Sequence, residues 1–334
     1  MVTHFPLDYM HLVCLGVVRR ILLLLIKGPR STKLSASQIT AISDELLGMR
    51  ASFPREFSRK PRPLSELKQW KATEFREFLL YSGPVVLKGK LPTAVYHNFL
   101  RLSVAMRIFL STSMIQHYVD YVENLLRTFV QTFSQVFGES LLVYNVHCLI
   151  HEDARRYGGL DYVSAFLFES CLGRLKKLVR RPKDPLQQIV RRLSECGRSR
   201  KHVDQLADRC RKPHESSSVP IGFESYMQYE QYIGESYFVS LIVGDNCFEI
   251  HGHIRVIKNI LRSDFSQEVL VVFERFNKLE PFFSIPLSSD ILSIFRVYDL
   301  CGTVEVYSVL DISKKCVLLP LDGGYAVFPQ LHFM

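Results

Sequence analysis

No two of the eight cysteines stand in a CxxC pair; the nearest neighbours along the chain, Cys196 and Cys210, are 14 positions apart. That absence removes zinc-ribbon and thioredoxin-type readings and leaves reduced, mostly buried thiols. Glycine occurs, but never in the GxxxxGK[ST] or GxGxxG patterns that cradle phosphate, and no GxSxG elbow is present. Nucleotide-dependent and triad-hydrolase chemistry therefore has nothing to stand on. Long apolar runs are missing as well. The longest, Ile21 to Ile26, is far short of the ~20 residues that a membrane span needs, so no membrane partner is expected. Asp8 and His11 interrupt the amino terminus as a secretory leader, and the chain reads as intracellular.

What is present is unevenly distributed charge. The 334 residues carry 42 Lys and Arg against 33 Asp and Glu, a formal net charge of +9. Between Arg174 and Lys212 there are fourteen basic and four acidic residues; the rest of the chain holds 28 basic and 29 acidic. The whole positive balance thus sits in one stretch of 39 residues, where an anionic partner is to be sought.

The fold class reads as α+β: a mainly helical amino-terminal part followed by a small all-β domain. Helical periodicity covers Pro6 to Lys27, a segment opened by Ser35 or Ser37, Ser65 to Gly83-Pro84, Thr93 to Leu110, Met114 to Phe137 and Leu141 to Tyr157. Two basic helices follow, about Phe168 to Arg181 and Leu186 to Cys196, separated by Pro182 and Pro185. The expected organisation is a helical region over 1–157, a basic region over 158–212, a linker over 213–236 and a separate β-barrel or sandwich over 237–334. In that last part short β-type runs alternate with turns, among them Phe282 to Ile285, Ser293 to Tyr298 and Val304 to Val309. Asp322-Gly323 between two apolar runs is a hairpin signal.

Three constellations carry chemistry. Asp8 and His11 lie one helical turn apart and can hydrogen-bond or share a metal, although a helix cap is the commoner use of such a pair. His147 and His151 share a helix face at the spacing used for zinc, but no glutamate follows the first, and buried structural histidines fit better. Glu169 follows Phe166, Leu167 and Phe168 and precedes Arg174, Lys176, Lys177, Arg180 and Arg181. If those apolar residues are buried, the carboxylate stands at the edge of the core beside a cationic surface, as a metal-dependent phosphoryl-transfer site requires. Plain ion pairing with Arg174 or Lys177 explains it equally well. In the β region Cys247, His251 and His253 around Gly252 read as a turn rather than a metal site.

Asp8-x-x-His11 with Leu12-Val-Cys-Leu-Gly-Val17, Ser65-Glu-Leu-Lys-Gln-Trp-Lys-Ala-Thr-Glu-Phe-Arg-Glu-Phe-Leu-Leu-Tyr-Ser-Gly-Pro84, Tyr144-Asn-Val-His-Cys-Leu-Ile-His151 and Phe168-Glu-Ser-Cys-Leu-Gly-Arg174 together resemble the carboxy-terminal half of transposases of the CACTA (En/Spm-like) superfamily. The resemblance spans Pro6 to about Leu193. It implies a ribonuclease H-like DDE fold with a helical insertion, here the helices up to Tyr157, and 158–212 as a remnant of the catalytic domain. Glu169 matches the third acid of the family, while Asp8, His11, Asn145, His147 and His151 fall in its accompanying motifs. The parent enzymes use Mg²⁺. The chain begins downstream of the positions of the first two acids, so it is expected to need no cofactor and to be catalytically incomplete: a transposon-derived nuclear protein with residual DNA affinity through Arg174, Lys176, Lys177, Arg180, Arg181, Arg191 and Arg192. Metal at Glu169 is expected only if the other acids are supplied. Two alternatives remain open: a protein-interaction scaffold, with partners bound through the β domain, or a piece of an active Mg²⁺-dependent transposase.

Overall fold

A computed structural model describes residues 8–149, 158–197, 209–215, 219–235, 237–263, 265, 266 and 268–331. It is α+β as expected, helical over 10–195 and antiparallel β over 210–329. Among the described residues no helix is long and apolar enough to cross a membrane.

The first helix runs as a π-helix over Met10–Val18 and passes without a break into α1 (Arg19–Lys27). α2 (Ala36–Gly48) opens with a capping box in which Gln38 N donates to Ser35 Oγ at 3.2 Å and Ser35 N donates to Gln38 Oε1 at 2.9 Å. Gly83-Pro84, expected as a stop, lies inside a helix: α3 (Ala72–Glu77) passes through a wide π turn over Phe78–Ser82 into α4 (Gly83–Val86). Wide turns accommodate the missing proline N–H. Gly83 is required here because a Cβ would meet Phe78 O at 2.4 Å and the Phe99 ring at 2.7 Å. That close approach seats α5 (Thr93–Phe109), buried over most of its length. α6 (Thr112–Phe137) packs back along it with Val122, Leu125, Phe129 and Phe133 inward, at helical spacing. α7 (Tyr144–His147) ends the described part of this layer.

Among the described residues nine strands follow: β1 (Cys210–His214), β2 (Met227–Ile233), β3 (Phe238–Ser240), β4 (Cys247–Ile250), β5 (His253–Arg262), β6 (Val269–Pro281), β7 (Phe295–Ser308), β8 (Lys314–Leu321) and β9 (Gly324–Pro329). The pairings β5-β4-β8-β9-β7-β6 return to β5, so six antiparallel strands close a barrel, with β1, β2 and β3 attached through β2 to β5. Each ring strand contributes to its apolar filling, through Cys247, Ile254, Phe276, Val297, Cys316 and Val327.

Several boundaries differ from the sequence reading. The segment expected as a linker carries β2, in which Tyr229 and Tyr232 are buried on opposite faces of an otherwise half-buried or exposed strand. Phe282 to Ile285 is not a strand; Phe282 and Phe283 turn into the helical layer. The two runs Ser293 to Tyr298 and Val304 to Val309 are parts of one long strand, β7, whose middle is exposed and so lacks the apolar alternation that marks a strand.

The β part is not separate. Along β8 and β9 alternate residues face opposite ways: Cys316, Leu318 and Val327 fill the barrel, while Val317, Leu319, Ala326 and Phe328 join the core of the helices. Arg107 of α5, fully buried, donates to Leu80 O at 3.0 Å and Pro329 O at 3.1 Å between the rings of Tyr81 and Phe328. The Lys315 ammonium, 0% exposed, donates to Glu56 at 2.8 Å, Phe238 O at 2.7 Å and Asp245 at 2.5 Å, tying the 49–60 loop to β3 and β8.

Candidate nucleic-acid interface

The basic residues lie on a helical hairpin made by α8 (Ala165–Leu178) and α9 (Pro185–Gly197). Its base is fixed by groups from three distant parts of the chain. Ser164 Oγ accepts from Phe166 N at 3.3 Å, and Asp8 Oδ1 accepts from Ala165 N at 2.6 Å. The same carboxylate accepts from His11 N at 2.9 Å and Met10 N at 3.3 Å and meets the His11 ring nitrogen Nδ1. Asp8 thus caps two helices at once, where the partial positive charge of each N-terminus favours an anion. Asp8 serves as the cap, and the His11 ring meets it there.

Beside it, the Arg76 guanidinium sits 4.9 Å from the Phe166 ring and 5.8 Å from that of Tyr9, and donates to both Asp161 oxygens at 2.9 and 3.1 Å. Burial raises the Asp161 carboxyl above its ordinary range, against the lowering pull of Arg76. Asn145 covers Gly16: a Cβ there would lie 2.6 Å from Asn145 Nδ2, so a larger residue would push the Asn145 side chain off the Met10–Val18 helix. Asn145, far away in sequence, thus joins Asp8 and His11 on that one helix.

Other expected site residues do not converge. His147 is exposed, not buried, because α7 turns Val146 inward and leaves the next position facing solvent. His151 lies outside the described residues. Of the three apolar residues before Glu169, only Phe166 packs onto the core; Leu167 and Phe168 are 65% and 68% exposed. α8 leaves the core after its first turn, and Glu169 is exposed with it. Among the described residues no three His, Cys, Asp or Glu side chains are grouped to hold a metal ion. The Mg²⁺ site implied by the resemblance does not fit the residues around Glu169.

The hairpin itself is cationic and open. Arg174, Lys176 and Lys177 on α8, Arg180 and Arg181 in the turn and Arg191 on α9 are exposed, and Arg192 is half-buried. Gln188 holds the turn in shape: its Oε1 accepts from the backbone N of Arg180 at 3.0 Å and of Arg181 at 3.3 Å, while its Nε2 donates to Arg181 O and Lys183 O. Arg191 pairs with Glu195 at 3.1 Å, an exposed contact worth little. Arg198, Arg200 and Lys201, counted in the basic stretch, lie outside the described residues. α9 also exposes Leu186, Val190 and Leu193, at 75%, 67% and 51%, as an apolar stripe at helical spacing.

Sequence reasoning missed the buried charges behind the hairpin. Glu74, Arg76 and Glu77 are 2%, 7% and 3% exposed. Arg62 clasps Glu74 through Nε at 2.5 Å and Nη2 at 2.9 Å. Among the described residues Glu77 has no such cation; burial pushes its carboxyl up to about 8 against a weaker pull from Ser82. The signal was available: three charges within four positions among large apolar residues cannot all find a solvent face on so short a helix.

A family model described as a domain of unknown function (DUF8592) matches residues 210–330. That span is the β part, β1 to β9, and excludes the hairpin. No curated protein and no solved structure matches the chain.

Proposed function

We propose that the protein binds nucleic acid, DNA in the first place, by laying the phosphate backbone against the α8–α9 hairpin, and that it derives from a CACTA-type transposase. The observation that carries this reading is the density of exposed cations on one rigidly anchored projection: Arg174, Lys176, Lys177, Arg180, Arg181 and Arg191, with Arg192 behind them. Lys and Arg in such an array neutralise phosphates and release condensed counterions, which gives affinity that falls with salt and is largely blind to sequence. A DNA partner makes the nucleus the working compartment. Catalysis is not part of the proposal, because Glu169 is the one residue matched to the family's acids and, among the described residues, stands without acidic neighbours placed for a metal.

The test is a titration of duplex DNA against the full chain at several salt concentrations. We expect a straight plot of log affinity against log salt with a slope of roughly −4 to −6, the value for about four to seven neutralised phosphates. Changing Lys176, Lys177, Arg180 and Arg181 to Glu is expected to weaken binding at least tenfold and flatten the slope. A flat plot for the unaltered protein overturns the proposal. Mg²⁺-dependent nicking that Glu169→Gln abolishes replaces it with the enzyme reading.

One observation favours a second reading, the protein-interaction scaffold: phosphates make no use of the exposed Leu186, Val190 and Leu193 stripe. Changing these three to Ser leaves the charges intact, so loss of partner capture without loss of DNA affinity would assign the hairpin to protein docking.

A further inference from the structure

The barrel closes along unequal seams. β6 and β7 share ten registered residue pairs and β8 and β9 six, whereas β4 and β8 share two, Phe248 with Lys315 and Glu249 with Lys314. One step along that register places Cys247 opposite Cys316. Each is 1% exposed, both belong to the barrel filling with Ile254, Val297 and Val327, and the two thiols are within hydrogen-bonding reach of each other. Directly opposed residues of antiparallel strands have Cα atoms about 4.5 to 5.5 Å apart, within the span that a disulfide bridges.

We propose that Cys247 and Cys316 are an oxidisable pair that forms a disulfide within the folded barrel, with a peroxide as the oxidant. One sulfur attacks a peroxide oxygen, the O–O bond breaks, and a sulfenic acid and one water result. The second sulfur then attacks the first, the S–S bond forms as the S–O bond breaks, and the hydroxyl leaves as water with the remaining thiol proton. Two thiols give two electrons, and one hydrogen peroxide becomes two waters. The product joins β4 to β8 covalently at the seam that has the fewest strand pairs.

The environment sets the pace. The neighbouring Cys316 thiol, together with burial, holds the Cys247 thiol well above its ordinary range, so it stays protonated and reacts only when the seam opens locally. Cys301 is the contrasting case: Thr303 lowers its thiol, and it is far more open to solvent. It is oxidised first, without a partner opposite it.

The experiment exposes the folded full chain to hydrogen peroxide for increasing times, alkylates the remaining thiols under denaturing conditions and digests without reductant for mass spectrometry. The expected result is a linked peptide pair carrying Cys247 and Cys316, lighter by two hydrogens than the separate peptides and split by dithiothreitol. Apparent Tm rises by roughly 5 °C in the linked form. The linked pair is absent when the chain is oxidised in urea, and absent from Cys247→Ala and Cys316→Val. Recovery of both cysteines as alkylated thiols after exhaustive oxidation of the folded chain, or as separate sulfinic acids, overturns the proposal.

Discussion

Lys315 and the α8–α9 hairpin use the same chemistry in opposite surroundings. Lys315 is one ammonium with no exposed surface, met by two carboxylates and a carbonyl; the hairpin holds eight cations, Lys183 included, nearly all in water and with one acidic partner for them among the described residues. A single buried charge is committed to the fold, because its desolvation has to be offset by every group around it. The hairpin cations cost the fold nothing and remain available to an anion that arrives from outside. Composition sees only the second kind. The stretch with a net +10 is easy to find in sequence, while a lysine between Lys314 and Cys316 in an apolar strand announces nothing.

The comparison breaks first at Lys315. Lys315→Met leaves Glu56 and Asp245 facing each other without their cation, and loss of one partner of a buried pair costs about 3 to 5 kcal/mol. Urea unfolding is expected to show that loss. Adding Glu56→Gln and Asp245→Asn to Lys315→Met should recover much of it, since an uncharged cluster has no unpaired ion to solvate. Equal loss in the triple variant would mean that packing, not charge, fixes this seam.

Glu77 sharpens the comparison, because it is a buried carboxyl with no cation beside it among the described residues. Its folded carboxyl titrates at about 8 against an ordinary 4.5. A carboxyl raised in the folded state holds its proton there more tightly than in the unfolded chain. Its contribution is fully present below about pH 4.5 and is lost as pH rises through about 8. Stability of the unaltered protein is therefore expected to fall between pH 5.5 and 8.5, and Glu77→Gln to remove that fall, being more stable at pH 8.5 by roughly 2 to 4 kcal/mol. Parallel pH profiles for the two proteins would sink the idea.

The same contrast explains what the sequence disclosed. Fold class, most helices and the Asp322-Gly323 hairpin follow from local periodicity and turn chemistry, which read true wherever one face of an element is buried. β2 and the middle of β7 escaped because their side chains are largely wet, so neither shows the apolar alternation that marks a strand. At the site, the cations were legible individually. Their anchor was not: Arg76 reaches Asp161 across 85 positions and Asp8 reaches Ala165 across 157. No spacing rule links such residues until the chain has folded.

Asp8 stands between the two regimes, since it is partly buried and serves two helix ends. Asp8→Ala removes the acceptor for Ala165 N and His11 N, and a lost cap costs about 1 to 2 kcal/mol. Amide exchange should locate the loosening at the start of α8, with the barrel strands unchanged; uniform acceleration would place Asp8 in the global fold instead.

The smallest effect is the most informative. Reversing Lys176, Lys177, Arg180 and Arg181 touches no buried partner, since none of the four side chains is paired with a protein group among the described residues. Surface changes of this kind usually stay within about 0.5 kcal/mol each. The reversed protein is thus expected to unfold in urea close to the unaltered midpoint while losing its hold on DNA, whereas Lys315→Met loses stability and, once refolded at low temperature, keeps the hairpin's affinity. If the reversed protein is markedly less stable, the hairpin cations belong to the fold after all, and the division between committed and available charge fails. If it is markedly more stable, the cations repel one another in the free protein, and relief of that repulsion by phosphate adds to the driving force for binding.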